Sequence, residues 1–259
     1  MAKTVFDILR LTGKDNCGQC GFPTCMAFAV AVTNAGADLG RCPRVPREEV
    51  GEGAAAAPRE DVETALAREL RSRLQGVDLG VLARDLGGEL TASGRALRLP
   101  FLGREVEIGP QGAFREDGGE LDPRDQVLLY NHLHIHGRSG LAGEWVGLES
   151  FPNSISKVAT LRRYSEEPLA RRFQGALPEL LQAAGAVGGR EVSPCPADLC
   201  LEVPVLPLVP IRIQFWDSEP EEGFPAKVKL LFDRSAMEYL DLESLVFAAE
   251  RMVETLSGR

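Results

Sequence analysis

Four of the six cysteines in this 259-residue chain fall between positions 17 and 42. They sit in Asn16-Cys17-Gly18-Gln19-Cys20-Gly21-Phe22-Pro23-Thr24-Cys25 and in Cys42-Pro43. The spacing is C-x2-C-x4-C, then a gap, then C-P. A cubane iron–sulfur cluster needs one thiolate per iron, four in all. Closely spaced cysteines on a Gly-rich turn can wrap three corners, and a cysteine beyond the following helix can supply the fourth. Gly18 and Gly21 let the backbone take positive φ and bring amide N–H groups toward cluster sulfurs. Pro23 and Thr24 read as the cap and start of a helix carrying Cys25, Met26, Phe28, Ala29 and Val32.

Two other uses of these thiols stand beside the cluster. A disulfide framework fits poorly, because the spacing is tight and the rest of the chain has the composition of a cytosolic protein. A structural zinc site usually takes two C-x2-C pairs or a mixed Cys/His set, and one such pair is present. Ligand softness and spacing favour the [4Fe-4S] cluster over zinc.

The run from Asn16 to Ala29 resembles a small four-cysteine [4Fe-4S] module. That module occurs in the large subunit of the corrinoid iron–sulfur protein and in the B subunit of Rnf-type electron-transport complexes. It also precedes a domain of unknown function in stand-alone proteins of anaerobes. The resemblance covers about the first fifth of the chain. It implies that Cys17, Cys20, Cys25 and Cys42 are the cluster ligands, and all four positions match.

Net charge is −9, which disfavours nucleic acid as a partner. The charge is uneven: residues 1–50 carry +1 and residues 51–259 carry −10. No stretch is long and apolar enough to span a membrane. The segment Met1 to Asp7 lacks a signal-peptide core, so a cytoplasmic, reducing and oxygen-poor setting is expected.

The chain divides by composition. Residues 1–50 form the cluster module, with an amphipathic helix over 4–11 and a second from Thr24 to about Ala37. Residues 51–59, with Gly51, Gly53, Ala54 to Ala57 and Pro58, read as a linker. Residues 60–259 read as an α+β domain with helices flanking a mostly antiparallel sheet. Helices are expected over 59–75, 79–86, from Asp122-Pro123 to about Gly137, over 166–185 with a break near Pro178, and over 241–256. A hairpin is expected over 95–109, and strands over 145–151, 201–216 and 226–232. This region also resembles the domain of unknown function just mentioned. The carrying residues are the helix ending at Gly137, Leu141-Ala-Gly-Glu-Trp145-Val, Phe224-Pro-Ala and Leu231-Phe-Asp233-Arg-Ser-Ala236.

Other candidate sites are weaker. His132, His134 and His136 are the chain's three histidines. On a helix, His132 and His136 lie one turn apart and can share a metal or a corrin-like ligand. The plainer use is a helix end where they complement the dipole. Cys195 and Cys200 form a C-x4-C pair, read as one loop thiol and one buried strand-edge thiol rather than a metal site or redox pair. The acidic run Asp217 to Glu222 is either a docking face or a solvated loop. Trp145 and Trp216 are expected in the core. Lys14, Arg41, Arg44 and Arg47 place a basic rim near the cysteines.

These features point to an iron–sulfur protein that transfers single electrons to a partner, by resemblance a corrinoid protein or a membrane-linked system as acceptor, while the basic rim suits an acidic donor such as a ferredoxin. Two alternatives remain. One is a redox enzyme with a second metal or corrinoid site at His132 and His136. The other is a protein whose cluster is structural or sensory.

Overall fold

The computed structural model describes residues 4–35, 37–46, 62–219 and 221–258. The chain divides into two compact units, Met1–Val62 and Glu63–Arg259. The linker expected over 51–59 lies outside the described residues.

The first unit is built on two helices. α1 (Val5–Leu11) starts at a reciprocal cap: Thr4 and Asp7 satisfy each other's backbone N–H groups. α2 (Cys25–Ala35) follows the cysteine turn. A short 3-10 turn, Leu39–Arg41, is capped by Asp38, whose carboxylate accepts from the Gly40 N–H. The core of this unit is small: Ile8, Cys20, Phe28, Ala29, Cys42 and Val45.

The second unit opens with α3 (Val62–Ser72) and α4 (Leu79–Leu86). The period-four leucines expected over 59–75 are only partly inside: Leu70 and Leu74 are buried and Leu66 is exposed. α4 is stopped by Gly87 in the left-handed region. An antiparallel meander follows: β1 (Glu89–Leu90), β2 (Leu97–Phe101), β3 (Arg104–Gly109) and β4 (Gly112–Arg115). The expected hairpin over 95–109 is β2–β3, with Leu97 opposite Ile108 and Phe101 opposite Arg104. Its turn needs glycine at 103. A Cβ there would stand 2.5 Å from the Val187 backbone, and φ is +74°.

α5 (Pro123–Ile135) begins at the expected Asp122 cap with Pro123 in its first turn. The second sheet has strand order β5-β9-β8-β7-β6 and is antiparallel throughout. Its strands are β5 (Trp145–Gly147), β6 (Arg190–Glu191), β7 (Leu199–Leu206), β8 (Val209–Trp216) and β9 (Lys227–Asp233). β8 alternates as expected: Ile211, Ile213 and Phe215 are fully buried, with Arg212 and Gln214 between them. Helices α6 (Ile155–Leu161), α7 (Glu167–Phe173), α8 (Leu177–Ala186) and α9 (Leu242–Leu256) complete the unit. β2, β7 to β9, α5 and α9 feed one continuous apolar core. The unit is α+β, as expected.

Two local expectations are corrected. The strand expected over 145–151 stops at Gly147 and becomes a 3-10 turn. The helix break expected near Pro178 falls at 174–176 instead. Pro178 lies in the first turn of α8, where its missing N–H would have had no helical partner.

Candidate metal centre

The cysteine turn is shaped by left-handed residues. Lys14, Asn16, Gly18 and Gly21 have φ of 54°, 51°, 72° and 85°. Asn tolerates this region because its short amide can bond locally. Asn16 Oδ1 accepts the N–H of Cys25 at 2.8 Å. Thr24 Oγ1 accepts the N–H of Ala27 at 3.0 Å. The turn and the start of α2 are thus capped together. At the far side, the Cys42 N–H bonds the Leu39 carbonyl, and the Cys42 carbonyl accepts from Val45.

Cys17, Cys20, Cys25 and Cys42 are all free; Cys17 is exposed and the other three are buried. Cys20 and Cys42 share the small apolar core with Phe28 and Ile8. Desolvation pushes the Asp15 carboxyl up, but hydrogen bonds from the Cys17 side chain and backbone and the Arg44 guanidinium outweigh it. Asp15 therefore lies below its ordinary value. Arg44 reaches Asp15 at 3.2 Å and Arg41 lies over the Phe22 ring at 5.5 Å. Arg47 lies outside the described residues.

Among the described residues, no group of three or more His, Cys, Asp or Glu is placed to hold a metal ion as it stands. The fit to an iron–sulfur group rests on the donor set. Four free soft thiols are carried by one small unit, and two of them are joined through one apolar core.

The histidines go three ways. His132 is fully buried on α5, with Nδ1 3.3 Å from the Tyr239 carbonyl oxygen and Nε2 without a partner. Burial pushes its pKa down to about 4. His134 Nε2 lies 2.9 Å from the Leu70 carbonyl oxygen. His136 caps the helix with φ +26°.

Cys195 and Cys200 are not separate thiols: they form a disulfide. The spacing alone did not distinguish the two states; the tertiary fold brings the Cα atoms to 5.5 Å. Nor are the tryptophans core residues. Both are half-buried under cations, Arg212 lying 3.9 Å from the Trp145 ring centroid and Lys227 5.5 Å from that of Trp216. In the acidic loop, Asp217 Oδ1 accepts the N–H groups of Gly175 and Ser218.

Two carboxylates, one fully buried and one half-buried, had no sequence signal as organisers. Asp233 is fully buried and accepts from the backbones of Ala142, Gly143 and Ser235 at 2.8–2.9 Å. Glu166 accepts the backbone N–H of Leu230 at 3.0 Å, where β5 is too short to pair with β9.

Residues 78–255 match the family described as a domain of unknown function (DUF3786). The chain belongs to that family. Residues 14–44 match a second family, described as "Putative Fe-S cluster". Among curated proteins, the corrinoid/iron-sulfur protein large subunit of Moorella thermoacetica is 42% identical over 60 residues. That match covers 22% of this chain and 14% of the relative. No solved structure matches. The N-terminal matches support an iron–sulfur protein, and among the described residues no helix is long and apolar enough to cross a membrane.

Proposed function

We propose that Cys17, Cys20, Cys25 and Cys42 hold one [4Fe-4S] cluster, and that the protein passes single electrons to a partner. One observation carries this reading. The four cysteines inside the Fe-S family match are all free and sit on one small unit, whereas the two outside it are paired with each other. Such a cluster supplies a one-electron couple, often at low potential.

The chain's own residues do the rest. Asn16 and Thr24 hold the turn against α2. Phe28, Ile8 and Val45 exclude water beside Cys20 and Cys42. Arg41, with Arg44 partly offset by Asp15, gives the rim positive charge, which suits an acidic electron donor of ferredoxin type. The likeness to a corrinoid/iron-sulfur subunit supports a corrinoid protein as acceptor. The C-terminal unit is then the docking part.

Anaerobic purification with iron and sulfide analysis tests this. About four of each per chain are expected, with loss on replacing Cys17, Cys20, Cys25 or Cys42 by Ala and no loss on replacing Cys195 or Cys200. Stoichiometric zinc without sulfide would sink the reading.

A further inference from the structure

The Cys195–Cys200 bond lies in the second unit and closes a ring of six residues at the start of β7. Its two sulfurs differ in access. Cys195 is on an exposed loop, and Cys200 is 3% exposed, inside the sheet. The backbone on both sides is held without the bond. Cys200 pairs with Gln214 in the β7–β8 ladder, and its carbonyl accepts the Val192 N–H at 3.0 Å. The Pro196 carbonyl accepts from Trp216 Nε1 at 3.2 Å, and Asp198 Oδ2 accepts the Asp217 N–H at 2.7 Å. A cross-link over so short a loop restrains the unfolded chain little compared with a long one. The backbone on both sides therefore keeps its ladder and loop contacts when the bond opens.

We propose that Cys195–Cys200 is a reversible thiol–disulfide site, open to a dithiol reductant, with Cys195 the sulfur that is attacked. The argument rests in part on the iron–sulfur reading. Cluster thiolates require a reducing setting, and there the disulfides that occur are mostly exchangeable ones with catalytic or sensing roles. A reductant thiolate bonds to Cys195 Sγ, and the Cys195–Cys200 bond breaks. The electron pair leaves on Cys200 Sγ, which takes up a proton. The second thiol of the reductant then attacks its own sulfur in the mixed disulfide and releases Cys195, which also takes up a proton. Two electrons and two protons enter the protein, and the dithiol becomes a disulfide. The Ala197 carbonyl oxygen, 3.1 Å from Cys195 Sγ, is placed to accept the new S–H. Attack at Cys195 follows from exposure, since Cys200 is walled in by the sheet.

The test uses the full-length protein, purified without oxygen, with iron and sulfide measured on the same sample. It is equilibrated with mixtures of reduced and oxidised dithiothreitol, alkylated, and mapped by peptide mass spectrometry. The peptide carrying Cys195 and Cys200 should pass from unlabelled to doubly labelled and back without denaturant. In single variants, Cys195 of Cys200→Ser should exchange with an aromatic disulfide probe at least about tenfold faster than Cys200 of Cys195→Ser. Reduction that needs denaturant, thiols that stay alkylatable in excess oxidised reagent, or equal rates in the two variants would each overturn the proposal. The cluster reading fails separately, on the iron and sulfide values; the wild-type equilibration stands even if a serine variant misfolds.

Discussion

The side chain of Asn16 accepts a hydrogen bond from the backbone N–H of Cys25 at 2.8 Å, bridging nine residues and both ends of the cysteine turn. The N–H it accepts belongs to the first residue of α2 and has no partner within the helix. Asn16→Ala removes the acceptor and leaves at φ 51° a residue without the short amide that lets Asn tolerate that region. The lost cap and the left-handed backbone should together destabilise the turn by about 2–3 kcal/mol. Iron should then leave to a chelator faster than from the wild type, while Asn16→Asp, which keeps the acceptor, should stay close to it. Equal rates for Ala and wild type would show that the turn is held by something else.

Asp233 should be the most sensitive carboxylate of the second unit. It is fully buried and takes four hydrogen bonds, the shortest from Ser235 Oγ at 2.6 Å. Asp233→Ala strands the N–H groups of Ala142 and Gly143 and should lower unfolding free energy by about 3 kcal/mol, with Asp233→Asn intermediate. Burial pushes the Asp233 carboxyl up, but the bonds from Ser235, Ala142 and Gly143 outweigh it, so its pKa lies below 3.8. Its contribution is thus present above the ordinary carboxylate range and lost as pH falls through the lowered value. Urea unfolding at neutral pH measures the first effect. A variant within 0.5 kcal/mol of wild type would mean the loop is held by its other bonds, those of the Gly140 N–H to Tyr239 Oη and of the Arg234 N–H to the Glu144 carbonyl among them.

His132 makes the opposite kind of group, a base held neutral. Its pKa falls from 6.5 to about 4 through burial, only partly offset by the Tyr239 carbonyl. Between those values the unfolded chain binds a proton that the folded chain does not. Stability is therefore full above about pH 6.5 and declines as pH drops toward 4, by about 3 kcal/mol if the whole shift is expressed. His132→Gln should flatten that part of the pH profile. Wild type and variant falling in parallel would assign the acid loss to other groups.

What the sequence disclosed follows from the range of the interactions. Of the apolar positions of α9, Leu245, Val246, Ala249, Met252, Val253 and Leu256 are buried and Leu242 at its start is half-buried, because helical periodicity is local and its core face is continuous. The Asp122-Pro123 start and the alternation of β8 were legible for the same reason. The four cysteines were legible as a set through spacing. The Cys195–Cys200 bond was not, since five residues of separation are compatible with free thiols as well. Nor was the reach of Glu166 to Leu230, 64 residues away. Its cause is a missing strand partner, and that exists only once the sheet is assembled. Trp145 looked apolar in sequence, yet its ring forms a platform for Arg212, a contact that periodicity does not encode.

The second unit should fold without the first. Its core runs unbroken from Leu70 to Leu256 and includes both sheets, so it buries enough apolar surface to stand as a domain. Among its described residues the first unit has a core cluster of six, two of them cysteines. Removing what those cysteines bind should unsettle the first unit alone. Residues 63–259 expressed by themselves should show one cooperative thermal transition within a few degrees of that of the full chain. Chelation of the full protein should leave that transition in place while changing the signal of the helices near the cysteines. Limited proteolysis should cut between about residues 47 and 60 and leave a stable C-terminal piece, since Gly51, Gly53, the Ala54 to Ala57 run and Pro58 have the composition of a linker. A fragment that fails to melt cooperatively, or a full chain that unfolds globally when its iron is removed, would show that the two units depend on each other for stability.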